Sequence, residues 1–141
     1  MTTTTTTTVT VGDRRELVLV DDLTRTQIVQ YAGASGDYNP LHSDEIYATK
    51  VAGFPSVFAH GMLTMGMTGR LLTDWFGDDA LLRYGVRFQA QVWPGDTLTA
   101  RAEVTAVKAD ETPPVAEFSV VTTNQHGAQV LVGAGAARLD P

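Results

Sequence analysis

The chain has 141 residues, 43% hydrophobic and 18% charged, which suits one soluble globular domain with a real hydrophobic core. Its net charge of -6 argues against nucleic acid or an anionic membrane as partner, although a few local arginines would suffice for an anionic ligand. With no cysteine there is no disulfide, thiol nucleophile or thiolate metal site, and the composition fits a reducing cytoplasm.

The opening "MTTTTTTTV" lacks the basic start and apolar core of a signal peptide, so residues 1–10 read as a disordered Thr-rich leader to a single domain over 11–141. "ELVLV" (16–20) reads as a short strand. In "DDLTRTQIVQYAGASGD", Thr24 with Gln27 three positions on predicts a capping box. The helix that follows puts Ile28, Tyr31, Ala32 and Ser35 on one face and stops at Gly36. A second short helix is expected in "DEIYATKV", before the break at 53–55. "HGMLTMGMTGRLLTDWF" is a longer helix, apolar nearly all round apart from Arg70 and Asp74, and such a helix must be wrapped by other elements. It is too short and too interrupted for the ~20 apolar residues of a bilayer span.

The remainder reads as strands. "YGVRFQAQVW" puts Tyr84, Val86, Phe88, Ala90 and Val92 on one face. "PGD" (94–96) is a turn, and "TLTARAEVTAV" sends Leu98, Ala100, Ala102, Val104 and Ala106 inward. "AEFSVVTT" and "AQVLVGAGAARL" form a last pair joined by "NQHG", which leaves His126 exposed and idle. The order implies an α+β domain in which an antiparallel sheet curls around a long central helix.

Chemistry concentrates in "SGDYNPLHSD" (35–44). Pro40 stiffens the bend and biases Asn39 toward an extended backbone. A stiff bend can hold the Asp37 carboxylate and the His42 imidazole on one point, the pair that water activation needs near neutral pH. Asn39 and Ser35 can steady the bend. An ordinary turn accounts for the same residue types, and a metal set of His42, Asp44 and His60 matches no ligand spacing. In "FAHGML", Gly61 opens the long helix, where unpaired N–H groups attract developing negative charge. His60 reads either as a helix-entry residue bonded to backbone or, with Met62, as a substrate contact.

Together, "YAGASGDYNPLHSDEIYA", "AHGMLTMGMTGRLL" and "VRFQAQVWPGDTLTARAEV" resemble the MaoC-type dehydratases, over roughly residues 11–139. The resemblance also extends to the small dehydratase subunits of mycobacterial fatty-acid elongation. It implies a hotdog fold and reversible hydration of trans-2-enoyl thioesters to (R)-3-hydroxyacyl thioesters. By the resemblance, Asp37 and His42 are the catalytic pair, Asn39 the motif asparagine and Gly61 the backbone oxyanion donor. The chain departs from some bacterial hydratases at Gly69, where they place a serine. No cofactor or metal is implied, since the substrate carries its own CoA or acyl-carrier phosphopantetheine. A single hotdog unit implies a homodimer, or a heterodimer with a related subunit. The rivals are a hotdog thioesterase, which would want an acid on the central helix earlier than Asp74, and a non-catalytic partner subunit, which usually lacks the Asp and His pair.

Overall fold

The computed structural model describes residues 8–139. The threonine run of residues 1–7, with the disorder expected of it, lies outside the described residues. Val9 packs against the hydrophobic core and the Thr10 N–H donates to Asp13, so the packed body begins slightly ahead of the boundary expected at residue 11.

Strand β1 (Arg14–Asp21) leads into α1 (Arg25–Ser35), a 3₁₀ turn (Pro40–His42) and a π-helical turn (Tyr47–Val51). Then come α2 (Gly61–Phe76), β2 (Leu81–Phe88), β3 (Thr97–Lys108), β4 (Val115–Thr123) and β5 (Gln129–Arg138). The five strands form one antiparallel sheet in the order β1-β3-β4-β5-β2. The strand that follows α2 therefore does not pair with its neighbour in sequence but crosses to the far edge beside β5. Register irregularities interrupt every strand pair, and such bulges let a sheet curl over a helix.

The capping box at Thr24 forms as expected: its hydroxyl accepts from Gln27 N–H at 3.0 Å while Gln27 Oε1 accepts from Thr24 N–H at 2.9 Å. Gly36 ends α1 with φ 77°, a left-handed conformation that glycine adopts without penalty.

The core lies between α2 and one face of the sheet. Leu71, Leu72 and Phe76 of α2 belong to one cluster with Leu98, Ala100, Ala102 and Val104 of β3 and with Phe118 of β4. The alanines of β3 let the helix approach, while Phe76 and Phe118 stack with ring centroids 5.6 Å apart. Phe118 is paired across strands with Gly135, where an added Cβ would lie 2.6 Å from the ring and 2.3 Å from the Arg83 carbonyl oxygen. Gly135→Ala is therefore expected to destabilise the fold by at least ~1–3 kcal/mol, because a backbone oxygen cannot step aside as a side chain can. A thermal or urea melt reads this directly.

Three expectations need correction. Strand β2 spans Leu81–Phe88 instead of running on through residue 93; beyond Phe88 the Gln89 N–H turns to the Val130 carbonyl at 2.8 Å. Ala106 is only half-buried, because the register shift between Val104 and Ala106 brings Val107 against the core in its place. Within this chain α2 is not wrapped all round. Its most buried positions begin with Thr64 and Thr68, whereas Met62 is 57% exposed. Among the described residues no helix is long and apolar enough to cross a membrane.

Candidate active site

The bend after α1 is built from a repeated local device. Ser35 Oγ accepts from Asp37 N–H (3.2 Å), Asp37 Oδ1 from Asn39 N–H (3.3 Å), and Asn39 Oδ1 from Leu41 N–H (3.0 Å). Each short polar side chain thus holds the backbone two residues ahead, as Ser, Asp and Asn do in tight turns. Pro40 then starts the 3₁₀ turn that ends at His42. Ser35 and Asn39 thus steady the bend through its backbone.

The His42 ring is fixed from two sides. Its Nδ1 lies 2.6 Å from the Phe58 carbonyl oxygen, and the ring stacks on His60 with centroids 3.7 Å apart and planes 21° apart. A carbonyl only accepts, so His42 Nδ1 carries the hydrogen and Nε2 keeps its lone pair in the neutral ring. His60 is 2% exposed, and its Nε2–H donates to the Asp37 backbone carbonyl at 3.0 Å. The edge of Tyr31 meets the His60 ring at 4.8 Å, and the His60 Nδ1 lone pair is buried without a partner. His60 therefore holds the aspartate's backbone and backs the His42 ring; it does not line the neighbouring cavity as a substrate contact.

The polar ends of Asp37, His42 and His60 come within 4.8 Å of one another, with Asp37 open to solvent. This set replaces the metal grouping weighed from sequence, in which Asp44 took the place of Asp37. Asp44 Oδ1 instead accepts from Tyr47 N–H at 3.1 Å. Two imidazoles stacked 3.7 Å apart with planes 21° apart keep their in-plane lone pairs in separate, nearly parallel planes, which does not suit convergence on one ion. The geometry suits one water held between a carboxylate and an imidazole.

Neighbouring elements lock the position of this group. The Phe58 N–H reaches the Leu41 carbonyl at 3.3 Å, and the Ala59 N–H reaches the Val92 carbonyl at 2.8 Å. Glu45 Oε2 accepts from Arg25 Nη1 of α1 at 2.6 Å and from Val57 N–H at 3.2 Å. The Arg25 contact, helped by the Val57 N–H, holds the Glu45 carboxyl below its ordinary range. This tie is fully formed above the ordinary glutamate range and loosens as pH falls through the lowered one.

At the head of α2, His60 is the N-cap residue with ψ 137° and makes no side-chain cap. The Leu63 and Thr64 N–H groups both turn to the His60 carbonyl, which leaves those of Gly61 and Met62 without an intrahelical acceptor. Gly61 and Thr64 line a cavity of about 310 Å³ together with Phe58, Phe88, Val92 and Val130. Asp37 and His42 are not among its lining residues. Phe58 stands between, lining the cavity and meeting the His42 ring edge-on at 5.3 Å. Phe88, expected to face inward, is 49% exposed and lays its ring against Gly61, where an added Cβ would be 3.0 Å away. Met62 does not line the cavity.

The likeness to known proteins extends over most of the chain. The profile of a family described as "MaoC like domain" matches residues 4–126. The 3-hydroxyacyl-thioester dehydratase Y of Mycobacterium tuberculosis is 39% identical over 90 residues, which cover 62% of this chain and 31% of that protein. The (R)-specific enoyl-CoA hydratase of Aeromonas caviae is 31% identical over 115 residues, 80% of this chain and 84% of the relative. The solved (R)-hydratase from A. caviae superposes with a TM-score of 0.82 at 29% identity, covering 94% of this chain and 98% of the other. In the ChsH1-ChsH2 complex of M. tuberculosis, a chain superposes at 0.78 with 28% identity over 94% and 100%. These structures share the hotdog arrangement of sheet and helix. The mycobacterial dehydratase is about three times as long as the matched region, so the chain spans about a third of that relative.

Proposed function

Because the chain belongs to the MaoC-like domain family, we propose that it is a hydro-lyase that reversibly hydrates trans-2-enoyl thioesters to (R)-3-hydroxyacyl thioesters. The observation that carries this reading is the convergence of the Asp37 carboxylate with the His42 imidazole next to the amino end of α2. The names of the A. caviae and mycobacterial relatives support it.

In this mechanism the thioester oxygen rests at the Gly61 N–H. Asp37 accepts one O–H of the water while His42 Nε2 takes the other proton. The water oxygen bonds to C3, electron density moves to the thioester oxygen as an enolate, and the proton returns to C2 on the same face. Dehydration reverses each step. The chain needs no cofactor or metal for this, because the CoA or acyl-carrier arm arrives on the substrate. The decisive assay follows loss of enoyl-thioester absorbance with crotonyl-CoA and assigns the chirality of the product. Release of free CoA with the 2,3-bond unchanged would instead favour a thioesterase, a reading weakened by Asp74, which is exposed near the far end of α2.

His60 takes a positioning role in this scheme. His60→Phe keeps an aromatic ring against Tyr31 and His42 but deletes the donor to the Asp37 carbonyl. It is expected to lower kcat on the order of tenfold with little change in KM, since small displacements of a reacting group are costly. Partial recovery in His60→Gln would tie the loss to the donor rather than to packing.

The partner in this reading is a second hotdog unit, identical or related, in the manner of the ChsH1-ChsH2 complex. Exposed Met62, Leu82 and Phe88, together with β2 at a sheet edge, support such pairing. Because this chain carries both Asp37 and His42, it would be the catalytic member of a mixed pair. Purified chain that is inert alone and active after mixing with a related subunit would distinguish the heterodimer. Nucleic acid and membrane have no place in the scheme, and a cytoplasmic setting fits it. Arg83, Arg87 and Arg101 could meet CoA phosphates; of these, Arg83 and Arg101 pair with Glu117 and Glu16 in this chain.

A further inference from the structure

The turn "PGD" ends on a charge that the fold buries and that the scheme above does not use. Asp96 is only 5% exposed, and among the described residues no Lys, Arg or His forms an ion pair with it. Two hydrogen bonds meet its carboxylate instead. Oδ1 accepts from Gln125 Nε2 at 2.9 Å, and Oδ2 accepts from the Trp93 N–H at 2.9 Å. That N–H shares a peptide group with the Val92 carbonyl, which accepts from the Ala59 N–H at 2.8 Å. The Ala59 N–H in turn shares a peptide group with the Phe58 carbonyl, the acceptor of His42 Nδ1–H at 2.6 Å. Three short hydrogen bonds through two peptide groups thus join a buried anion to the imidazole. In a planar trans peptide the N–H and C=O point opposite ways, so each group passes polarisation along the series.

We propose that Asp96 is a positioning residue for His42, acting on its imidazole through the peptide groups 92–93 and 58–59. This rests on the hydratase reading above, in which His42 Nε2 takes a proton from water. The carboxylate polarises the Trp93 N–H and makes the Val92 oxygen a stronger acceptor. The same effect passes through Ala59 to the Phe58 oxygen. That oxygen then holds Nδ1–H more tightly and favours the positive charge that forms on the ring. In a Ser-His-Asp triad a buried aspartate does this in one step, fixing the tautomer and balancing the imidazolium. Here Asp37 is open to solvent and holds the water in the proposed mechanism, which leaves the Nδ1 side of the ring to a more distant anion. Burial keeps solvent and salt from screening that anion, so its field persists over the longer path.

The test compares two variants. Asp96→Asn removes the charge, and its amide oxygen can still accept from the Trp93 N–H. Its amide nitrogen, however, faces Gln125 Nε2, donor against donor. Adding Gln125→Glu repairs this: the new carboxylate accepts from the amide at 96 and from the Thr97 N–H, as Gln125 Oε1 does at 3.0 Å. The double variant keeps the hydrogen bonds and the net charge but moves the anion one amide further from Trp93. The His42 Nδ1–H proton gives a downfield NMR resonance, assigned by its loss in His42→Ala. In both variants it is expected to move upfield, while kcat for crotonyl-CoA hydration falls about three- to tenfold with KM nearly unchanged. The melting temperature should drop in Asp96→Asn and recover in the double variant. A resonance or a kcat that stays at the wild-type value in the double variant would show that Asp96 only holds the turn, and would overturn the proposal. Should the wild type hydrate no enoyl thioester, the hydratase reading fails, and the resonance decides the role of Asp96 by itself. The double variant carries the test even if Asp96→Asn fails to fold.

Discussion

Asp37→Asn and His42→Ala are each expected to lower kcat for crotonyl-CoA hydration by ~10²–10⁴, the range a positioned acid or base contributes. Asp37→Asn isolates the charge. An amide oxygen at position 37 can still accept from the Asn39 N–H, and the backbone carbonyl can still take the His60 hydrogen bond, so the bend should persist. The amide no longer offers the negative charge that holds the water and balances the imidazolium forming at His42. His42→Ala removes more: the lone pair at Nε2, the bond to the Phe58 carbonyl and the stack on His60. Its melting temperature should therefore drop somewhat, whereas that of Asp37→Asn should not. Steady-state rates beside a thermal melt separate the two effects, and full activity in Asp37→Asn would remove the mechanism.

The second large effect is expected from Gly61→Pro. Proline lacks the N–H proposed to hold the thioester oxygen, and loss of one such donor typically costs ~2.7–4 kcal/mol of transition-state stabilisation, or ~10²–10³ in kcat. Most positions in a helix would not tolerate this test. Gly61, however, is the first helical residue, where proline is favoured, and His60 before it already has φ -63° and ψ 137°, the conformation that a following proline requires. Gly61→Ala supplies the steric control. Its Cβ would sit 3.0 Å from the Phe88 ring, which is half-exposed and able to yield, while the N–H is kept. A proline variant that folds and loses activity far beyond the alanine variant would tie the rate to the hydrogen-bond donor. Equal activity in the two would instead assign the thioester oxygen to another partner.

Much of the site was legible because its parts are local. The Thr24–Gln27 box, the stop at Gly36 and the Ser35, Asp37 and Asn39 ladder rest on bonds two to four residues long. Residue type and spacing suffice to anticipate such bonds. The partner that orients His42 was not legible, since it is the backbone carbonyl of Phe58 and no sequence pattern marks a carbonyl. The same holds for His60. Its place before Gly61 could be read, but its donation to the Asp37 carbonyl spans 23 residues of chain. Strict alternation through residue 93 turns Phe88 inward, whereas the strand ends at Phe88 and its ring turns onto Gly61. Met and Leu dominate the composition of α2 and hide its threonines, yet Thr64 and Thr68 are among its most buried residues.

By itself the sequence determined the caps, the stiff bend carrying Asp37 and His42, the alternating strands and the glycine that opens α2, because short-range sterics and hydrogen bonds decide each of these. Only the tertiary structure decided that β2 crosses to the far edge beside β5, that His42 and His60 stack, and that Thr68 meets Thr122 between α2 and β4. Those contacts join residues 18 to 54 positions apart, or depend on which strand faces which, and they arise only when burial of the core brings the segments together.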